Sequence, residues 1–228
     1  ALARDFTVVA YDRRARSRSP RPDGWTHTSA DEQADDAAAL LRALGLAPAH
    51  VFGTSSGATI GLNLALRHPD VVRSAVLHEP PKIGVLPERD SFLAALRTRM
   101  QAARASGGPR AAMADFLGWI AGPAAPDGAQ ALAARERVLD HAAVWLDMEL
   151  GVVDRYDPPA GAARVPVTIA VGSEGATAMH QDLLDGYRAA LQALAARVGG
   201  RLQPMSGAHV PYRSGPERFV QEVRALLA

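Results

Sequence analysis

Apolar residues along this chain follow two alternating periods. Phe6-Thr7-Val8-Val9-Ala10 is a short apolar run that predicts a buried strand, followed by Tyr11-Asp12-Arg13-Arg14 and a polar, proline-bearing loop to His27. Ser29-Ala30-Asp31-Glu32 has the capping-box pattern, in which serine and glutamate each satisfy a free backbone donor of the other. Behind it Ala37, Leu40, Leu41 and Leu44 keep helical spacing, and Gly45 before Pro48 supplies a stop. His50-Val51-Phe52-Gly53 predicts a second strand, and Ala58 to Leu66 a helix closed by His68-Pro69. Val71 to Glu79 and Val165 to Val171 predict two more strands, separated by a long helical insertion. A helix carrying Leu183, Leu184, Tyr187, Leu191 and Leu194 on one face ends at Gly199-Gly200, and Arg201 to Met205 forms a last short strand. Ser214-Gly215-Pro216-Glu217 then caps a helix whose buried stripe is Phe219, Val220, Val223, Leu226 and Leu227. Strands alternating with helices predict an α/β fold, a mostly parallel sheet with helices on both faces.

Composition narrows the function. A chain of 228 residues, 48% hydrophobic and 21% charged, can bury a substantial core. Its 25 basic and 24 acidic residues give a net charge of +1 and form no blocks, so neither nucleic acid nor a membrane surface is an expected partner. With no cysteine, thiolate metal sites and cysteine nucleophiles are excluded. No apolar run reaches the roughly 18 residues that span a bilayer and no secretory signal opens the chain, so a cytoplasmic setting is expected.

The chemistry concentrates at Gly53-Thr54-Ser55-Ser56-Gly57, where a strand must reverse sharply into a helix. A serine at such an apex is held in strained geometry with its hydroxyl exposed above the sheet, at the positive end of the following helix dipole. Here the chain resembles the α/β-hydrolase family, whose nucleophile Ser55 matches and whose first oxyanion-hole donor matches the Ser56 N–H. The resemblance implies a histidine late in the chain and a carboxylate between the two. Ser206-Gly207-Ala208-His209-Val210-Pro211, after the last strand, resembles the family's Gly-x-His loop and makes His209 the expected base. His27, His50, His68, His78, His141 and His180 are read as ordinary surface or core residues.

The acid departs from the common pattern. Most relatives place an aspartate just after the strand matching Val165 to Val171, but this loop reads Val171-Gly172-Ser173-Glu174-Gly175, with glycine where the acid belongs. A second arrangement in the wider family puts the acid at the end of the strand after the nucleophile helix, and Glu79 stands there before Pro80-Pro81. A carboxylate closing an apolar strand is costly without a partner. Glu79 is therefore the favoured acid, with Glu174 the alternative and Asp154 and Asp157 more distant. Asp12 to Ser19 resembles the family's Asp-x-Arg-Gly-x-Gly-x-Ser loop with Ala15 and Ser17 in place of its glycines, and a bracing role is expected for Asp12 and Arg14.

Residues 1–80 and 160–228 are expected to form the hydrolase core and residues 81–159 a helical cap, where Trp119, Trp145, Met113, Phe116 and Met148 suit either a substrate-pocket wall or the cap's own core. Breaks at Ser106-Gly107-Gly108-Pro109 and Ala121-Gly122-Pro123 divide it into several helices. The resembled fold also has strands before Phe6 whose loop gives a second oxyanion donor, so a piece upstream of Ala1 is expected. The resulting expectation is a serine hydrolase that cleaves an ester, lactone or thioester of a small, mainly apolar substrate, without metal or organic cofactor. A homodimer is the one assembly left open. Two other readings stay open: a same-fold C–C bond hydrolase, lyase or cyclase acting on a polyketide-like metabolite, and a non-catalytic ligand-binding homologue.

Overall fold

The computed structural model describes residues 2–81, 89–121, 129–150, 157–158, 161–173 and 181–227. Four parallel strands form its sheet in chain order: β1 (Ala49–Thr54), β2 (Val72–His78), β3 (Val167–Gly172) and β4 (Arg201–Met205). Register aligns the strand ends that matter, with Thr54 opposite His78, His78 opposite Ala170, and Gly172 opposite Met205. Parallel strands send their C-terminal ends to one edge, so the loops after β1, β2, β3 and β4 gather there.

Helices cover both faces. On one side α1 (Ala30–Ala43), α2 (Ser56–Arg67) and, after the insertion, a helix over Gln181–Arg197 bury Ala75, Leu77, Val167, Ile169 and Val171. On the other side the last helix, Pro216–Leu227, packs Phe219, Val220 and Val223 on Val76, Ala170 and Met205. Leu77 and Ile169 are fully buried, each worth about 1.5–3 kcal/mol against exposure. Period-2 alternation along β2 thus feeds two separate cores.

The insertion is mostly helical over the residues described within it. It comprises α3 (Arg89–Ala121), α4 (Ala129–Asp140) and α5 (Ala142–Val144), the last running into a π-turn over Trp145–Glu149. The expected break in α3 falls at Gly107 and Gly108, where φ/ψ leave the helical region and Gly108 takes φ 72°. The second expected break, beyond Ala121, lies outside the described residues. By the same numbering the helix over Gln181–Arg197 is α6, a short Pro211–Ser214 turn is α7, and the last helix is α8.

Three local expectations are corrected. Phe6 to Ala10 forms no strand and pairs with no described strand, and Val8 and Val9 are 54% and 44% exposed. A strand needs a ladder partner, and among the described residues β1 pairs with β2 alone. The α1 capping box is half made: Ser29 Oγ accepts the Glu32 N–H at 3.0 Å. The Glu32 carboxylate turns instead to Thr28 Oγ1 (2.7 Å) and Trp25 Nε1 (3.1 Å), side-chain donors that outcompete the Ser29 amide. Finally, α7 was not foreseen; Pro211 starts it and Pro216 restarts the chain as α8.

Candidate active site

Ser55 stands between β1 and α2 with φ 53° and ψ −127°, a backbone conformation that few non-glycine residues adopt. Its N–H donates to the His78 carbonyl (2.9 Å), and its own carbonyl accepts from Ala58 N–H (2.8 Å), so the reversal is pinned on both sides. Tightness explains the glycine before it: a Cβ on Gly53 would sit 2.4 Å from the Gly57 carbonyl oxygen. Ser56 is the first residue of α2.

Glu79 follows β2 at the same sheet edge. Its N–H continues the ladder to Ala170 O (2.9 Å), after which φ turns to 47° and Pro80-Pro81 fix the exit. Tyr187 Oη donates to the Pro80 carbonyl at 2.8 Å, holding that exit against α6. The Glu79 carboxylate is almost fully buried and satisfies both its oxygens. Oε1 accepts the Gly172 N–H at 2.9 Å, and Oε2 lies 2.6 Å from His209 Nδ1. Burial opposes the charge on Glu79, but the His209 hydrogen bond, the two neighbouring histidines and the Gly172 N–H together hold its pKa below the usual carboxylate range. The same burial and the Glu79 charge push the Tyr187 phenol well above its ordinary range, so it stays a neutral donor.

His209 lies four positions past β4, with Gly207 at φ 94° turning the loop. Thr54 Oγ1 donates to the His209 carbonyl at 3.1 Å and lies 3.3 Å from His78 Nδ1. The structure thus brings Ser55, Glu79 and His209 to the ends of β1, β2 and β4, with Glu79 and His209 directly bonded. Thr54 and His78 were missed by sequence reasoning. Their signal was adjacency, since each directly precedes a residue of the constellation in sequence.

Other candidates fall elsewhere. Glu174 and Asp154 lie outside the described residues, and Asp157 forms a surface pair with Arg197 (2.9 Å). Met113, Phe116 and Trp145 pack into a core internal to the helical insertion, with the Phe116 and Trp145 rings 4.7 Å apart. Trp119 sits beside Phe116, and both it and Met148 are half-buried. Arg14 grips Asp36 of α1 through two hydrogen bonds, whereas Asp12 pairs with Arg18 of its own loop. Ala15 and Ser17 adopt φ 56° and 49°, so the loop keeps the left-handed path that glycines would follow. A hollow of about 690 Å³ opens beside Tyr11, Arg14, Arg18 and Asp36, and none of Ser55, Glu79 or His209 lines it.

A parallel sheet with helices on both faces, its elbow, acid and histidine loop all at the C-terminal strand edge, has the architecture of an α/β hydrolase. The family profile described as alpha/beta hydrolase fold matches residues 1–118, and the chain belongs to this family. It is 47% identical over 85 residues to the uncharacterized hydrolase YraK of Bacillus subtilis (strain 168), covering 37% of this chain and 31% of that one. It is 44% identical over 77 residues to the putative carbamate hydrolase RutD of Caulobacter vibrioides, covering 34% and 28%. The chain therefore matches about a third or less of these curated relatives' lengths. In three dimensions it resembles a hydrolase from Pseudomonas aeruginosa PA01, with a TM-score of 0.71 at 23% identity over 100% of this chain and 82% of that one. The carboxylesterase CesB (YbfK) of Bacillus subtilis aligns with a TM-score of 0.58 at 20% identity, over 94% and 71%. Among the described residues no helix is long and apolar enough to cross a membrane.

Proposed function

We propose that this chain carries the nucleophile, base and acid of a serine hydrolase acting by acyl transfer on an ester, lactone or thioester of a small, mainly apolar molecule. The observation that carries the proposal is the 2.6 Å contact between Glu79 Oε2 and His209 Nδ1 at the sheet edge that also presents the strained Ser55. An ionised carboxylate on Nδ1 keeps the proton there and leaves Nε2 free to accept. His209 takes the Ser55 hydroxyl proton as Oγ bonds to the substrate carbonyl carbon, and the Ser56 N–H steadies the oxyanion. His209 then returns the proton to the leaving oxygen or sulfur. Water attacks the acyl-enzyme by the same route, releasing the acid and regenerating Ser55.

The helical insertion acts in this proposal as a cap over the site, with the cytoplasm as its setting. Among the described residues it is tied to the core through Glu149, buried and paired with Arg13 Nη2 (3.0 Å) and Arg16 Nη2 (2.7 Å) of the loop after Tyr11. A fluorophosphonate probe followed by peptide mapping tests the core of the reading. Modification of Ser55 that disappears in His209→Ala supports it, and an unmodified Ser55 in folded protein rejects it.

A further inference from the structure

Thr54 and His78 lie opposite each other on β1 and β2, on the sheet face that α8 covers, one step behind Ser55 and Glu79. His78 is fully buried. The direction of the hydrogen bonds between them can be fixed. The Thr54 hydroxyl has one proton, and the His209 carbonyl 3.1 Å away can only accept it. The contact of 3.3 Å between Thr54 Oγ1 and His78 Nδ1 is then a hydrogen bond only if Nδ1 carries the proton. That leaves Nε2 of His78 as a bare lone pair, and this atom has no partner among the described residues.

We infer that His78 is a positioning residue, an Nδ1–H imidazole that orients the Thr54 hydroxyl onto the His209 carbonyl and so sets the main chain of the proposed base. The inference rests on the proposed role of His209 and adds two residues to it. Each end of the base is then fixed from β2: Glu79 holds the imidazole, and His78, through Thr54, holds the backbone. The titratable groups around His78 agree with neutrality. Burial lowers its pKa to about 4, and proximity to His209 reinforces the shift, while the Glu79 charge opposes it without reversing it. A charged His78 would also bury a second, unpartnered donor at Nε2.

The first test needs no variant. Nitrogen-15 spectra of labelled histidines in the folded wild-type chain should show His78 as the neutral Nδ1–H tautomer across the neutral range, and an Nε2–H or doubly protonated ring would overturn the assignment. The second reads turnover of p-nitrophenyl acetate. Thr54→Val and His78→Leu should each lower kcat by roughly 10²-fold, the loss typical of a base displaced by about 1 Å, with KM within about threefold. The double variant should lose no more than the larger single loss, and Thr54→Ser and His78→Asn should recover at least tenfold of it. Two full losses that multiply, or losses falling on KM alone, would refute the relay. If His209→Ala abolishes turnover while Thr54→Val and His78→Leu keep kcat, only the positioning role fails. If His209→Ala itself retains turnover, the parent proposal fails.

Discussion

Replacing Glu79 by glutamine isolates the electrostatic part of the proposed triad from its shape. The two carboxylate oxygens do different jobs: Oε1 accepts from the Gly172 N–H and Oε2 faces His209 Nδ1. In the variant the Gly172 N–H still needs an acceptor, so the amide oxygen keeps the Oε1 position and the –NH₂ takes the place of Oε2. A donor then faces Nδ1. The imidazole can answer only by moving its proton to Nε2, which removes the lone pair meant for the Ser55 hydroxyl. The wrong tautomer of a triad histidine typically lowers kcat by about 10⁴, equivalent to about 5.5 kcal/mol.

Stability should fall modestly: the buried Gly172 bond survives, but the fold favours an ionised carboxylate that the variant lacks. The assay is kcat and KM for a p-nitrophenyl ester, with thermal unfolding as the control for integrity. A fall of roughly 10³-fold or more in kcat in a chain that still unfolds cooperatively, well above the assay temperature, agrees with the reasoning. A folded Glu79→Gln chain within about tenfold of wild type would refute it and move the acid to another carboxylate.

Glu149→Ala leaves Arg13 and Arg16 without their buried counter-ion and should cost about 3 kcal/mol, near the low end for breaking a buried pair because Arg13 is partly exposed; urea unfolding reads it. Ala15→Gly relieves a left-handed residue at φ 56° and should raise stability by up to about 1 kcal/mol, seen as a higher urea midpoint at unchanged slope. His78, with its pKa lowered to about 4, binds fewer protons folded than unfolded between that value and 6.5; stability therefore rises with pH through this window and falls by about 2–3 kcal/mol on going from pH 7 to 4.5. His78→Asn should flatten that acid loss in the same denaturation series. Gly172→Ala would place a Cβ 2.9 Å from Glu79 Oε1 and 2.7 Å from the Gly207 carbonyl oxygen, so turnover should drop at least tenfold, whereas Gly24→Ala, with open space around it, tests nothing but turn strain.

The sequence made the architecture legible wherever local period and long-range pairing agree. The runs in β1 to β3 are short, mainly apolar and punctuated, β4 is short and mixed, and each emerges within a few residues of its predicted span. Phe6 to Ala10 shows the limit, since apolar composition states a preference for an extended chain and cannot name its neighbour. Glu32 shows another: the capping-box pattern is local, but Trp25 and Thr28, which take its carboxylate, reach it through a loop without regular period. Among the site residues, Ser55 and His209 sit in motifs whose spacing encodes their geometry. Thr54 is the variable position of its motif and His78 lies in none, and their relation exists only because β1 and β2 pair in register across 24 residues of chain.

A side chain at the end of β3 and the Glu79 carboxylate at the end of β2 would meet in the same volume beside His209. Glycine at 172 is what lets the Glu79 carboxylate occupy that volume, because the space its Cβ would fill lies within 2.9 Å of Oε1. The backbone N–H of Gly172 then becomes a donor to the carboxylate, so the end of β3 binds Glu79 through its main chain. The missing aspartate in Val171-Gly172-Ser173 and the unusual carboxylate before Pro80-Pro81 are therefore one structural fact seen from two strands. Two carboxylates in that space would repel each other and share a proton, raising the pKa of one of them and weakening its hold on the base. A glycine beside the Glu79 carboxylate avoids that conflict, and its N–H helps to keep the carboxylate ionised.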